Sequence, residues 1–341
     1  MSLAGRIVRG VGAWLPSAML RPLAGPAAVF FHGVELNLVD PRLQSNHRRI
    51  EDFYALAIAL KSDFDVAPLE TLPDVLAAPR HHRRTVFLMS DDGYANTLAV
   101  AAPLLHALKL PWTLFVSTEH VDTGERNPFF LARFFFRYAP NGSYVIAGLG
   151  APLTLGAERK AVEARALGAL RTLPLTEAKR AVHDMLRILE HSGLAQLFSQ
   201  YSSDRFLDWD GVRALAQQGV TIGAHAHWHW PMHRHETAET LKTQAQVPRT
   251  RIAAEVGPCR HFAYPFGNVS DVSTGAWQAV RDAGYDYGFT TLSGTLEASR
   301  NPWLLPRYGL RMTEPQLANS VRLLRLGNGR LTRWQRTVQT T

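Results

Sequence analysis

The sequence predicts an α/β protein built on a mostly parallel sheet, and two observations carry that expectation. Short apolar runs of strand length alternate with longer amphipathic stretches of helical spacing. Four polar motifs also fall at the carboxyl ends of predicted strands, the edge where parallel α/β folds assemble sites from separate loops. The chain's 341 residues suffice for one large barrel domain or two ordinary ones, and 46% hydrophobic residues provide for a sizeable core.

Residues 1–26 read as an N-terminal segment in which Arg6, Arg9, Pro16, Arg21, Pro22 and Pro26 interrupt every apolar run. A signal peptide requires an unbroken apolar stretch of roughly 7–15 residues, and a bilayer span about 20. Neither is expected, which points to a cytoplasmic protein with at most membrane association. The folded domain is expected over 27–312. Ala27 to Phe31 forms an apolar strand ending at His32-Gly33, and Glu51 to Lys61 a helix. Thr85 to Met89 is the next strand, ending at Ser90-Asp91-Asp92-Gly93, followed by a helix over Thr97 to Leu108 and a strand over Trp112 to Ser117. From about 124 to 206 the rhythm changes to aromatic-rich and helical spacing, which reads as a mostly helical insertion. Alternation then resumes with helix Trp209–Gln218, strand Val220–Gly223, helix Glu236–Glu255, strand Phe262–Tyr264, helix Thr274–Ala283 and strand Tyr287–Thr290. Residues 313–341 form a basic tail in which Arg322, Arg325, Arg330, Arg333 and Arg336 are interleaved with Leu and Trp334. Such a tail forms a solvated terminal helix or makes peripheral contact with an anionic membrane surface.

The net charge of +8 comes from 37 basic and 29 acidic residues, and only five of the basic ones are lysines. An arginine bias of this kind reflects composition more than phosphate binding. No nucleic-acid-binding module is present, so a nucleic-acid partner is not expected. The single cysteine, Cys259, excludes an intrachain disulfide and reads as a buried structural thiol before a strand.

The chemistry-bearing residues sit at strand ends. Adjacent carboxylates such as Asp91 and Asp92 repel unless a cation or donor compensates, and in such a loop one can hold a metal while the other takes a proton. By itself Asp-Asp-Gly is also a common turn. His225 and His229, within His225-Ala226-His227-Trp228-His229, would lie on one face of a helical turn, with Cβ atoms roughly 5–6 Å apart. Two imidazoles at that spacing can share an ion, although His233 and His235 also make this a histidine-rich tract. His32 could donate a proton to a leaving amine. In Phe262-Ala263-Tyr264-Pro265-Phe266-Gly267 the useful group is backbone, an N–H aimed at a developing oxyanion.

Ser90-Asp91-Asp92-Gly93-Tyr94, Leu207 to Val212, Gly223 to His229 and Phe262 to Gly267, in this order, resemble the polysaccharide deacetylases of carbohydrate esterase family four. The likeness spans about residues 27 to 310. It implies a distorted (β/α) barrel of the polysaccharide deacetylase type, with a groove for a sugar. It also implies Asp91 as general base, Asp92, His225 and His229 as ligands of a divalent metal, usually zinc, and the N–H of Phe266 in the oxyanion hole. Two features depart from the family's pattern. Ala263 stands where the family has an arginine that orients the base, and no histidine follows His261 to serve as the C-terminal acid. His32, in Phe30-Phe31-His32-Gly33-Val34, looks like the N-terminal acid of a circularly permuted branch. The implied activity is N-deacetylation of an N-acetylated sugar in surface polysaccharide or lipopolysaccharide assembly, and the missing export signal favours a lipid- or nucleotide-linked substrate. The same site would serve a deformylase or an O-deacetylase, and a carbohydrate-binding barrel without turnover is the reading of a different class.

Overall fold

The structure is a computed structural model describing residues 25–201, 204–310, 321, 324 and 328–340. Most of the expected N-terminal segment and the first part of the tail lie outside them. In chain order the elements are β1 (Ala27–Phe31), β2 (Gly33–Glu35), β3 (His47–Arg49), α1 (Ile50–Asp63), β4 (Asp65–Val66), α2 (Leu72–Ala77) and β5 (Thr85–Ser90). There follow α3 (Ala102–Ala107), β6 (Thr113–Val116), α4 (Thr118–Thr123), α5 (Pro128–Tyr138), β7 (Gly142–Tyr144), β8 (Leu153–Leu155), α6 (Arg159–Leu170) and α7 (Leu175–His191). The last third holds α8 (Trp209–Gln217), β9 (Thr221–Ala224), α9 (Ala238–Val256), β10 (His261–Ala263), α10 (Thr274–Asp282), β11 (Tyr287–Phe289), β12 (Tyr308–Gly309) and α11 (Asn328–Thr340).

The main sheet runs β11-β10-β9-β6-β5-β1-β12, with β4 pairing beside β5, and each pairing in it is parallel. Strands β1, β5 and β6 are buried at every residue, which is why they read as unbroken apolar runs rather than alternating ones. The period of two still sorts their side chains. Ala28, Phe30, Phe87, Met89, Phe115 and Phe289 fill the concave interior, while Ala27, Val29, Phe31, Val86, Leu88 and Leu114 pack under the helices. Leu305 bridges Phe289 of β11 while Tyr308 pairs with Val29 of β1, so one segment links both ends of the strand order. This is the expected distorted (β/α) barrel.

The insertion has its own core, built by five phenylalanines of α5 with Leu170 of α6 and Met185 of α7. It also carries an antiparallel hairpin, β7 with β8. Strand β7 is the exposed, half-polar Gly-Ser-Tyr, which offers no apolar alternation to read from sequence. In the described part of the tail, Leu331, Trp334 and Val338 are buried and Gln335 donates to Ser299 Oγ and the Leu304 carbonyl. The apolar face of α11 is therefore spent on the barrel, with Arg333 and Arg336 outward. Arg322 and Arg325, on which the expectation of peripheral membrane contact also rests, lie outside the described residues. Among the described residues no helix is long and apolar enough to cross a membrane.

Candidate active site

The carboxyl ends of β1, β5, β9 and β10 meet above the apolar interior. Asp91 N–H donates to the Phe31 carbonyl at 3.0 Å and Ser90 Oγ to the His32 carbonyl at 3.1 Å, so the ends of β1 and β5 are tied together. Asp92 then takes φ 78° and Gly93 φ 83°, a left-handed pair that folds the Asp92 carboxylate back over the sheet.

His225 continues β9 through its N–H, which donates to the Val116 carbonyl at 2.8 Å. The five-residue histidine motif is not a helical turn. Ala226 at φ 60° and His229 at φ 50° make an irregular loop, and the buried Gln244 of α9 clasps it. Gln244 Oε1 accepts from the N–H groups of His227 and Trp228, and its Nε2 donates to the Trp230 carbonyl. The two imidazoles still converge, with ring centroids 5.0 Å apart. The loop, not a helical spacing, brings them together. His227 turns away to Thr118 Oγ1 and Glu119.

Asp92 Oδ1 lies 2.9 Å from His229 Nε2 and 3.3 Å from His225 Nε2. A tetrahedral ion with bonds of about 2.0–2.1 Å places its ligand atoms roughly 3.3 Å apart. All three side chains are buried, and among the described residues neither Asp92 oxygen has a hydrogen-bond partner. His225 Nδ1 faces the Ala263 carbonyl at 2.8 Å, which puts the proton there and leaves Nε2 a lone pair. His229 Nδ1 lies 3.1 Å from Asn127 Nδ2, whose amide would have to rotate for Nδ1 to carry a proton. An orphaned buried carboxylate facing imidazole nitrogens fits a divalent cation. Burial by itself would raise the Asp92 carboxyl, but the surrounding histidines outweigh it and hold the group well below the usual carboxylate range.

Asp91 does not join this cluster. Its two oxygens receive Arg307 NH1 at 2.7 Å and NH2 at 2.9 Å. Arg307 is fully buried, its Cζ 4.4 Å from the centre of the Phe30 ring, and its Nε donates to the Thr290 carbonyl at 3.2 Å. Burial pushes the Asp91 carboxyl up and Arg307 more than reverses it, so the group is ionised. Sequence reasoning missed Arg307. The only signal was indirect, a base-orienting arginine absent at Ala263. Ala263 belongs to the same interior cluster as Phe30, Phe115 and Leu305, and its small side chain fits an interior into which an arginine enters from the Leu305–Gly309 segment.

His32 lines a cavity with Asn46, His47, Arg48 and Leu310. Burial lowers its pKa below 6.5, opposed by the charges of Asp92 and Asp91. Phe266, at φ 60°, packs its ring 5.4 Å from His229. Its carbonyl accepts from Thr291 Oγ1 at 2.6 Å, and among the described residues no hydrogen bond occupies its N–H. Gly267 cannot be replaced freely, since its φ is 60° and a Cβ would sit 2.8 Å from the Thr291 nitrogen. A second cavity beside Phe266 is lined by Tyr94, Asn127, Phe129, Arg133, Asp204 and His229, combining aromatic walls with polar groups from the insertion. Cys259 is buried away from the site with its thiol pushed up to about 12, as expected of a structural cysteine.

The family model described as Polysaccharide deacetylase matches residues 78–288. No curated protein sequence matches the chain. Among solved structures, the Streptococcus pyogenes deacetylase PplD in complex with acetate superposes with a TM-score of 0.57 at 13% identity, covering 87% of this chain and 98% of that one. IcaB from Ammonifex degensii gives 0.55 at 14% identity over 88% and 97%. BC0361, a polysaccharide deacetylase from Bacillus cereus, gives 0.55 at 12% identity over 87% and 69%. At these identities the structural likeness establishes the fold.

Proposed function

The chain belongs to the polysaccharide deacetylase family, and on that premise we propose that it removes the acetyl group of an N-acetylated sugar by hydrolysis. The observation that carries the reading is the division of labour between neighbouring carboxylates, Asp91 held ionised by Arg307 and Asp92 grouped with His225 and His229. Asp92, His225 and His229 would hold a divalent cation, zinc by the donor set, which polarises the acyl carbonyl as a Lewis acid. Asp91, fixed bidentately by Arg307, takes the proton of the attacking water. The N–H of Phe266 donates to the carbonyl oxygen as negative charge gathers there. His32 gives a proton to the amine nitrogen as the C–N bond breaks. Since burial keeps His32 neutral near pH 7, it must acquire that proton within the catalytic cycle. A cytoplasmic setting and a lipid- or nucleotide-linked sugar of surface polysaccharide assembly complete the proposal.

The test pairs elemental analysis of untagged protein with acid release from free, lipid-linked and nucleotide-linked N-acetyl sugars, with N-formyl and O-acetyl sugars run alongside. The expected result is about one metal per chain, as a single Asp-His-His site requires, together with acetate release. Asp92→Ala and His225→Ala should lose metal and turnover together, whereas Asp91→Asn should keep the metal and lose most turnover. Full metal content in the first two variants would sink the site. Release of formate, or of acetate from O-acetyl sugars alone, would redirect the reading to a deformylase or an O-deacetylase.

A further inference from the structure

We infer that Arg171, carried by the helical insertion, is a positioning residue for the oxyanion-binding N–H of Phe266, so that the insertion sets the geometry of catalysis as well as walling the site. The inference rests on the reading of Phe266 given above. Arg171 follows directly on α6. Its guanidinium makes two parallel contacts with Asp271, Nε to Oδ1 at 2.8 Å and NH2 to Oδ2. Asp271 is buried and closes the loop that follows Phe266, accepting from the Asn268 N–H at 2.8 Å and from Ser270 Oγ at 3.3 Å. The same guanidinium lies with Cζ 4.7 Å from the centre of the Phe266 ring. Phe129 of α5 meets that ring edge-on, with centroids 4.7 Å apart.

These contacts act on a residue with little intrinsic reason to stay where it is. A bulky side chain at φ 60° is in a sparsely populated conformation and persists only when its surroundings over-determine it. The Gly267 N–H donates to the Pro265 carbonyl at 2.6 Å and Thr291 holds the Phe266 carbonyl, which closes a tight turn around Phe266; the ring and the following loop fix how that turn, and the N–H on it, sits over the site. Both of those are gripped from the insertion, by Phe129 and by Arg171. A guanidinium suits the task because its plane stacks on an aromatic face while its fork meets a carboxylate. An ammonium could reach Asp271 or the ring face, but lacks the planar fork that pairs with one while stacking on the other.

The experiment compares the metal-loaded wild-type chain with Arg171→Lys and with the charge-neutral pair Arg171→Met plus Asp271→Asn, which avoids stranding a buried carboxylate. Each is assayed on an N-acetyl sugar and on an activated aryl acetate. Displacing an oxyanion donor by a fraction of an ångström costs about tenfold to a hundredfold in kcat. That loss is expected on both substrates, with KM within about threefold and the lysine variant intermediate. Amide hydrogen exchange in the 264–271 peptide should quicken while the barrel strands and Tm stay at wild-type values. Unchanged kcat in the neutral pair overturns the inference, and so does a loss of kcat matched by a fall in Tm. A wild-type chain without deacetylation on any substrate would instead overturn the function on which the inference stands.

Discussion

At the scale of single residues the site is a contest between burial and compensation. Asp91 is almost wholly buried, yet Arg307 keeps it charged. A lysine at 307 cannot supply the two parallel N–H groups, so Arg307→Lys should lower kcat by about ten- to a hundredfold through misaligned Asp91. Arg307 lowers the Asp91 pKa, so weakening that contact raises it. Activity should then fail at a higher pH on acidification than in the wild type, and a pH–rate profile with an unmoved acidic limb would exclude this coupling. His32 makes a different demand. Expelling an amine needs a proton and expelling an activated phenolate hardly does, so His32→Ala should slow amide cleavage far more than aryl acetate cleavage. Equal slowing would remove it from the acid role. The Asp91-Asp92 pair and the histidine spacing were legible because each is a local pattern. Arg307 was not, lying 216 residues from its partner.

Individual elements store strain where they end. Among the described residues at positive φ other than glycine, Asp92, His229 and Phe266 are site residues named from the sequence and Ala226 lies between two of the histidines; of these, only Lys109 stands apart, at φ 56°. Left-handed backbone costs roughly 1–2 kcal/mol per residue, so its concentration at three strand ends argues for function. Lys109 is the control. It follows α3, with its N–H donating to the His106 carbonyl, in the position where helices commonly end on glycine. Lys109→Gly should stabilise the chain by up to about 1 kcal/mol in urea unfolding without altering turnover. A destabilised variant would contradict this account of the strain. The elements themselves were largely readable, from the apolar runs of β1, β5 and β6 to the helix at 209–217. Strand β7 and the two-residue β12 were not: β7 is exposed Gly-Ser-Tyr and lacks the apolar character that marked the equally short β10 and β11, and β12 offers only two residues.

For the whole molecule, a buried histidine makes stability depend on pH. Burial pulls the pKa of His261 in β10 from 6.5 to about 4. As pH falls from 6.5 the unfolded chain takes up that proton while the folded chain resists until about 4. Stability is thus fully present above about pH 6.5 and drops by about 1.4 kcal/mol per pH unit for this group down to its folded pKa. His261→Phe should flatten the dependence of unfolding free energy on pH between 6.5 and 4, and an unchanged slope would show that His261 does not titrate in that window. The sequence by itself determined the parallel α/β architecture, and it offered the helical insertion and the polar residues of the strand ends as expectations. Local patterns suffice for this, since burial on both faces dictates an apolar strand and a polar residue at its end must face the open edge. Only the tertiary structure decided what controls those residues: Arg307 on Asp91, Gln244 around the histidine loop, and Arg171 on Phe266 and Asp271. Each of the three reaches across the fold from another element. Charge pairing and ring stacking depend on distance in space and leave no periodic trace along the chain.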